Sequence, residues 1–564
     1  MIMTDADDDG THIKGLILNL IHTMWPSLLE LNFVVSMITP VVKVSGKNFY
    51  SLSTFKKWWE THGSDKHKVK YYKGLGTSTS AEAREYFTDI DKLTVAFDMD
   101  GDADTSMKLA FDKKLADDRK KLIQEKTKDS GEEIDYGKIK NISITDFVHR
   151  DLVNFSIADL KRSIAHVADG FKPSQRKVLH ACFARNLTGE MKVAQLASYV
   201  SEKTAYHHGE VSLAETIVKL AQDFTGSNNI NLLVPCGQFG TRIMGGKDAS
   251  QPRYIFTKLS PETRQIFDPR DDAVLNYLED DGKRVEPEYF VPTTCMVLVN
   301  GSKGIGTGFS SNIPSYNPKD ISENIKRMLM GTPVKDMHPW FKNFGGTVER
   351  VDEHTWVARG KYEDGCVTEL PPGRWIQDFK EHLDKLVEEK TISNYVNNST
   401  TERVHFKIVG YTGGDPVKDF KLSETFKTSN MHLFHPTGIK KYNSPNEILS
   451  DYVEIRMEYF EKRKKYLLEK FQAKALVCSH KAQFVWCVVN DHIKVFKRKR
   501  AELEGDISKY FPPVDGNYNY LLDIKTWQYT EEAIASLVQQ TQEAQREYSE
   551  LKNKRPRDMW LETL

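Results

Sequence analysis

Carboxylates occupy every second position near the start of the chain: Asp5, Asp7 and Asp9 in MIMTDADDDGTHIKG, with Gly10 directly after. In an extended segment this alternation points all three side chains the same way. Like charges held together repel, so the pattern suggests a divalent cation. The string D-x-D-x-D-G also opens the calcium loop of an EF-hand, which needs an apolar eighth residue and a bidentate Glu at the twelfth. Counted from Asp5 those positions hold His12 and Leu16, so the EF-hand is excluded. A solvated acidic turn is the plain alternative. Positive charge forms the second pattern. Arg162, Arg176, Lys177, Lys192, Arg242, Lys247 and Arg253 follow one another between about residues 160 and 255, with His207 and His208 among them. Two glycine-rich stretches, CGQFGTRIMGGKDAS and NGSKGIGTGFSSNIP, invite comparison with a P-loop. The first has Asp248 where Ser or Thr must bind magnesium, and in the second Lys303 precedes its glycines, so both fail as ATP sites. Both remain candidates for loops whose backbone approaches a phosphate chain.

The elements that must position these residues can be read locally. KPSQRKVLHACFARN has an early Pro173 and apolar residues at helical spacing, so a helix begins there. KVAQLASYVSEK and GEVSLAETIVKLAQDF read as two more helices, and RYIFTKL as an aromatic and β-branched strand. Three helices and a strand in a basic region suggest a winged helix that places a helix in a DNA groove. A charged face on an ordinary helical domain explains the same charge.

At 564 residues the chain has room for roughly three or four domains. Its 39% hydrophobic and 28% charged residues are those of a globular protein, and a formal net charge of zero leaves room for a basic face balanced by acidic ones. No apolar stretch approaches the ~18 residues of a membrane span. Six cysteines lie scattered without a C-x-x-C pair, which favours free thiols in a reducing compartment over disulfides or a zinc site.

Seven segments then occur in a telling order: IMTDADDDGTHIKG, YYKGLGTSTSAEAREYF, KPSQRKVL, YHHGE, GQFGTR, PRYIFT and GIGTGFSSNIP. Together they resemble the eukaryotic-type type IIA DNA topoisomerases, and the resemblance runs the length of the chain. It implies a multidomain α/β and α architecture. A partial TOPRIM module would span 1–98, a linker 99–145, a winged-helix domain 146–316, an α+β tower 317–437, and antiparallel coiled-coil arms 438–564 with an exit-gate tip at about 480–525.

The resemblance also implies roles. Tyr254 in PRYIFT matches the nucleophile that joins a DNA 5′ phosphate, and Arg253 the arginine that holds the scissile phosphate. Phenol oxygen, with an unperturbed pKa near ~10, needs help to attack, and a planar guanidinium suits two phosphate oxygens. Asp5 and Asp7 match direct Mg2+ ligands, with Asp9 as a supporting or second-site ligand; Mn2+ or Ca2+ are possible substitutes. Asp8, pointing away by alternation, receives no role. His208 is favoured over His207 as the histidine that contacts DNA or supports the transition state. Arg176, Lys177, Lys192, Tyr206, His207, Arg242, Lys247 and Lys73 match DNA-contacting positions, and Ile313 the apolar side chain that wedges between base pairs and bends the duplex. The partners implied are double-stranded DNA and a second copy of the chain, in a nuclear setting, with an organellar or viral one as alternatives.

The chain opens inside a strand-turn motif, so a fragment is expected, one lacking an upstream E-G-D-S-type glutamate, the ATPase region and a C-terminal tail. ATP would then act in a longer parent, and cleavage would be impaired. In the last third, SPNEILSDYVEIRMEYFEKRKKYLLEK starts with a capping box and keeps near-heptad Ile448, Tyr452, Ile455, Tyr459 and Tyr466. EEAIASLVQQTQEAQREYSELKNK places Ile534, Leu537, Thr541, Ala544, Tyr548 and Leu551 at alternating three and four. Two other readings compete. A non-catalytic architectural DNA-binding protein explains the basic middle and the long helices but not the acidic triplet; a metal-dependent nuclease explains the carboxylates but not Tyr254.

Overall fold

The computed structural model describes residues 1–63, 66–72, 74–128, 134–206, 209–280 and 282–564. The first module is built on a three-stranded sheet. Strand β1 (Val35–Met37) pairs antiparallel with β2 (Thr94–Asp98), and β3 (Asn141–Ser143) pairs parallel on the other side of β2. Ile2 adds a parallel bridge to Ser36, which anchors the chain start beside β1. Helix α1 (Asp8–Met24) buries Leu18 against Val95, Phe97, Met107 and Phe147. The 99–145 segment is not a linker. Helices Ala103–Phe111 and Ala116–Lys128 lie in it, and Ala103, Met107, Ile142 and Ile144 belong to the module's core, because β3 completes the sheet and carries its connection with it.

Helix α2 (Val153–Ser163) leads into the basic region. The three helices read from sequence are present as α3 (Pro173–Arg185), α4 (Val193–Thr204) and α5 (Glu210–Ala221). Val178, Leu196, Leu213 and Ile217 turn inward to one large core. The RYIFTKL strand is shorter than expected. β4 (Met191–Lys192) pairs with β5 (Phe256–Thr257), while Tyr254 lies in the turn before it. A hairpin of β6 (Ser302–Ile305) and β7 (Ser310–Ile313) follows.

The expected tower divides differently. Helix Pro318–Met330 buries Ile321 and Ile325 in the central core, and the hairpin Met431–His435/Gly438–Tyr442 returns Met431 and Leu433 to it. A boundary at 437/438 would cut that hairpin in its turn. Between these lie a three-stranded sheet, a four-stranded sheet and helix Ile376–Glu388 with a separate core around Phe379 and Phe406. Helix α6 (Pro445–Val489) starts on a Ser444 cap with Pro445 in its first turn, and α7 (Glu531–Asn553) runs back along it. Lys464 Nζ donates to the Lys552 carbonyl while Cys478 lies against Gln540, so the two are antiparallel. Ile448, Tyr452, Ile455 and Tyr459 do not form the seam; they are buried in the central core, and the arm emerges only beyond them. At the far end Phe484, Ile493, Ile507 and Phe511 close a small cap. Among the described residues no helix is long and apolar enough to cross a membrane, and all six cysteines are free.

Candidate active site

The acidic loop stops being extended at Asp7. Asp7 caps α1, its Oδ1 accepting the Gly10 N–H at 2.7 Å, so Asp8 and Asp9 already belong to the helix. Alternation therefore does not carry through to Asp9. Its two oxygens accept Arg162 Nη1 and Nη2, each at 2.9 Å, a fork-to-fork pair made by the far end of α2. Asp5 Oδ1 accepts the Leu75 N–H at 2.8 Å. Two glycines make the approach possible: a Cβ on Gly10 would lie 2.1 Å from the Asp5 carbonyl oxygen, and one on Gly74 2.8 Å from the Asp5 side chain. Asp8, given no role from sequence, lines a cleft of about 640 Å³ with Lys14, Tyr136 and Asp151. Partial burial, then Asp151, Asp7 and Asp9, raise its carboxyl above the ordinary range. Burial lowers the Lys14 ammonium, with Asp151 and Asp7 opposing.

Among the described residues no three His, Cys, Asp or Glu side chains converge on one metal position. The three-carboxylate expectation is corrected accordingly, because Arg162 engages Asp9. Asp5 and Asp7 each give one oxygen to a backbone N–H and retain a second. Two carboxylate oxygens with water completing the shell suit Mg2+, which dehydrates reluctantly; they do not make a cage for Ca2+.

Tyr254 is held by its neighbours and left bare itself. Its N–H donates to the Gln251 carbonyl at 2.9 Å, closing a turn with Pro252 at the second position. The first turn of α4 straps this turn down: Val193 N–H donates to Ile255 O and Ala194 N–H to Pro252 O. Ile255 is buried against Gly237, so the adjacent Tyr254 is turned outward and is 66% exposed. The Arg253 guanidinium stands 4.9 Å from its ring centroid. Lys192, exposed, lies opposite Phe256 in the β4–β5 register, two residues along from Tyr254.

Several expected DNA contacts are engaged internally. Arg176 is 6% exposed and gives Nε and Nη2 to Asp169, at 2.8 and 3.1 Å, and Nη2 also to the Phe171 carbonyl. Lys177 pairs with Glu286 at 2.9 Å and donates to Thr204 O. Arg242 is buried against Glu369 and the Leu370 carbonyl. These three hold the central core to its surroundings rather than offering charge to a ligand. Lys247 is exposed and Tyr206 half-buried. Lys73, His207 and His208 lie outside the described residues. The glycine loops turn out to serve packing. A Cβ on Gly245 would overlap Trp375, one on Gly246 would overlap Gln222, and Asp248 accepts from the Thr241 N–H and hydroxyl.

Ile313 cannot wedge into DNA as it stands. It is 1% exposed and part of the central core. Ile305, at the end of β6 in the same hairpin, is 85% exposed.

A family model described as DNA gyrase/topoisomerase IV matches residues 162–564. The chain belongs to the type II DNA topoisomerases. A second model, the C-terminal associated domain of TOPRIM, matches residues 37–160. DNA topoisomerase 2 of Plasmodium falciparum is 40% identical over 626 residues, covering 100% of this chain and 44% of its own length. DNA topoisomerase 2-alpha of Cricetulus griseus is 41% identical over 631 residues, covering 100% of this chain and 41% of its own length. The mitochondrial DNA topoisomerase 2 of Dictyostelium discoideum is 39% identical over 600 residues, covering 100% and 46%. The chain thus spans under half the length of these relatives. The crystal structure of the Plasmodium falciparum topoisomerase II DNA-binding, cleavage and re-ligation domain matches with a TM-score of 0.89 at 40% identity, covering 100% of this chain and 83% of that one.

In this topoisomerase chain sequence reasoning missed Ile305 and the grip of α2 on the acidic loop. The signal for the first was in GIGTG: an isoleucine between glycines has neighbours that let backbone pack closely and push the one large side chain out. No local signal marks the second, since Asp9 and Arg162 lie 153 residues apart.

Proposed function

We propose that the chain is the DNA-gate core of a type IIA topoisomerase, which cuts both strands of a bound duplex reversibly with two copies of Tyr254. The observation that carries this reading is the bare Tyr254 on a turn strapped to the start of α4, beside Arg253 and Lys192. Tyr254 Oη attacks the phosphorus, a phosphotyrosine bond forms at the 5′ end, and the bond to the 3′ oxygen breaks as that oxygen takes up a proton. The reverse attack by the 3′ hydroxyl reseals the strand and frees the phenol. Arg253 binds the phosphate and stabilises charge that grows on its oxygens. A divalent cation held by Asp5 and Asp7 would supply Lewis-acid stabilisation of the leaving oxygen. Ile305 wedges into the stack, exchanging a few kcal/mol of unstacking for wrapped contact. Two tyrosines imply a two-fold dimer. Exposed Trp486, Phe496, Tyr510 and Trp527 at the tip of the arms suit its second contact. ATP-driven transport of another duplex belongs to the longer parent, in a nuclear setting.

The test uses duplex DNA labelled at its 3′ ends, divalent metal and a denaturing quench. Label retained on the protein, and lost to background in Tyr254→Phe, is the expected result. Cut DNA with no attached label would favour the nuclease reading. Bound but intact DNA would favour the architectural one.

A further inference from the structure

The helix that joins the two modules grips a candidate working element with each of two side chains. α2 grows out of a π-helical stretch, Phe147–Leu152. Such stretches are rare and often mark functional sites. Near its end Arg162 holds both oxygens of Asp9 on the acidic loop. One turn earlier, Asp159 Oδ2 accepts the Thr307 N–H at 2.8 Å and the Thr307 hydroxyl at 2.9 Å. Thr307 lies two residues beyond Ile305, in the connection between β6 and β7.

The hairpin also rests directly on α2. A Cβ on Gly304 would sit 2.0 Å from the Ser163 carbonyl oxygen, and one on Gly306 2.9 Å from Leu160 Cδ2. On the other side, His12 of α1 stacks on Phe155 of α2 with ring centroids 3.9 Å apart. Neither the acidic loop nor the hairpin can shift against α2 without breaking charge-assisted hydrogen bonds or overlapping atoms.

We infer that Asp159 and Arg162 are positioning residues that make α2 a relay between the acidic loop and the Ile305 hairpin. A cation on the loop competes with Arg162 for Asp9, which changes the restraint on the end of α2. Through Asp159 and Thr307 the hairpin follows. Linkage makes the effect reciprocal: whatever factor the cation gives to the bent complex, bending gives back to cation binding. The inference rests on the proposed cleavage-and-bending function.

The test uses the Tyr254→Phe chain, so that no strand is cut, and a duplex carrying donor and acceptor dyes at its ends. Energy transfer reports the bend while Mg2+ is titrated at constant ionic strength. Mg2+ is expected to raise the bent fraction. Adding Thr307→Val or Asp159→Ala should move the Mg2+ midpoint by about fivefold or more, the low end of ordinary coupling. Thr307→Ser, which keeps the hydroxyl, should restore it. Those midpoints report the relay independently of catalysis, and the near-isosteric Val/Ser pair decides the matter even if Asp159→Ala fails to fold. Identical midpoints in Thr307→Val and Thr307→Ser would overturn the relay. A duplex that bends with no response to Mg2+ would overturn the relay and leave the functional reading standing. A duplex that never bends would overturn both.

Discussion

At the root of the arm, Asp268 and Asp271 meet Arg456 and Arg463 almost out of contact with solvent; at the acidic loop, Asp5, Asp7, Asp8 and Asp9 gather where solvent reaches them. The first cluster is closed on itself. Arg456 bonds Asp271 at 2.8 Å, Arg463 bonds Asp268 at 2.7 Å, and the Arg456 guanidinium lies 4.0 Å from the Phe460 ring centroid. Burial alone would raise the Asp268 carboxyl, but its bonds to Arg270, with Arg463 behind them, outweigh that and hold it at about 2. The second cluster has carboxylates in excess, and Asp8 is pushed the other way. Charges that only hold the fold are matched one to one. Charges kept for a ligand are left with repulsion for that ligand to relieve.

The sharpest way to break the comparison is to remove one acid from each cluster. Asp271→Ala leaves Arg456 and part of Arg463 buried without a counter-charge and should lower stability by about 3–5 kcal/mol in chemical denaturation. Breaking the loop's partly exposed pair with Arg162→Ala should cost within about 1 kcal/mol. Equal losses would mean that the two clusters are not different in kind.

Acid gives a smaller effect with a definite sign. Because the Asp268 pKa is depressed on folding, its contribution is complete above the unfolded value near ~3.9 and is lost as pH falls through about 2. The loss should be about 2 kcal/mol, read as a fall in urea midpoint across that window that Asp268→Asn flattens. A variant with the parent's slope would remove Asp268 from the account.

The smallest effect separates engaged from available cations. Lys192→Ala should reduce the slope of log affinity against log salt by about 1 without changing stability. Arg176→Ala should leave that slope intact and lower stability, because Asp169 loses its buried partner. The reverse pattern would return Arg176 to the DNA contacts.

Much of the fold was legible because its signals are local. The three helices of the basic region begin where capping residues and apolar spacing put them, and the seam of α7 keeps its three-four alternation, with Ala544 fully buried. The arm's first turns were misread because the stripe Ile448, Tyr452, Ile455 and Tyr459 says only that one face is buried, not what covers it. The central core covers it, and no partner helix is needed there. Ile313 was misread for the same reason: in SSNIP nothing local separates a wedge from a core residue.

By itself the sequence determined which chemistries were present: a phenol beside a guanidinium, an acidic alternation ending in glycine, and the periodicity of each helix. These are properties of residue types and near neighbours, and the family follows from their order. The tertiary structure decided which charges are available. Arg162 reaches Asp9 across 153 residues, Arg242 reaches Glu369 across 127, and Arg456 reaches Asp271 across 185. A charge engaged by such a partner is lost to a ligand, and distance along the chain carries no trace of it. Pairing is set by where the elements pack, which depends on burying the whole core at once.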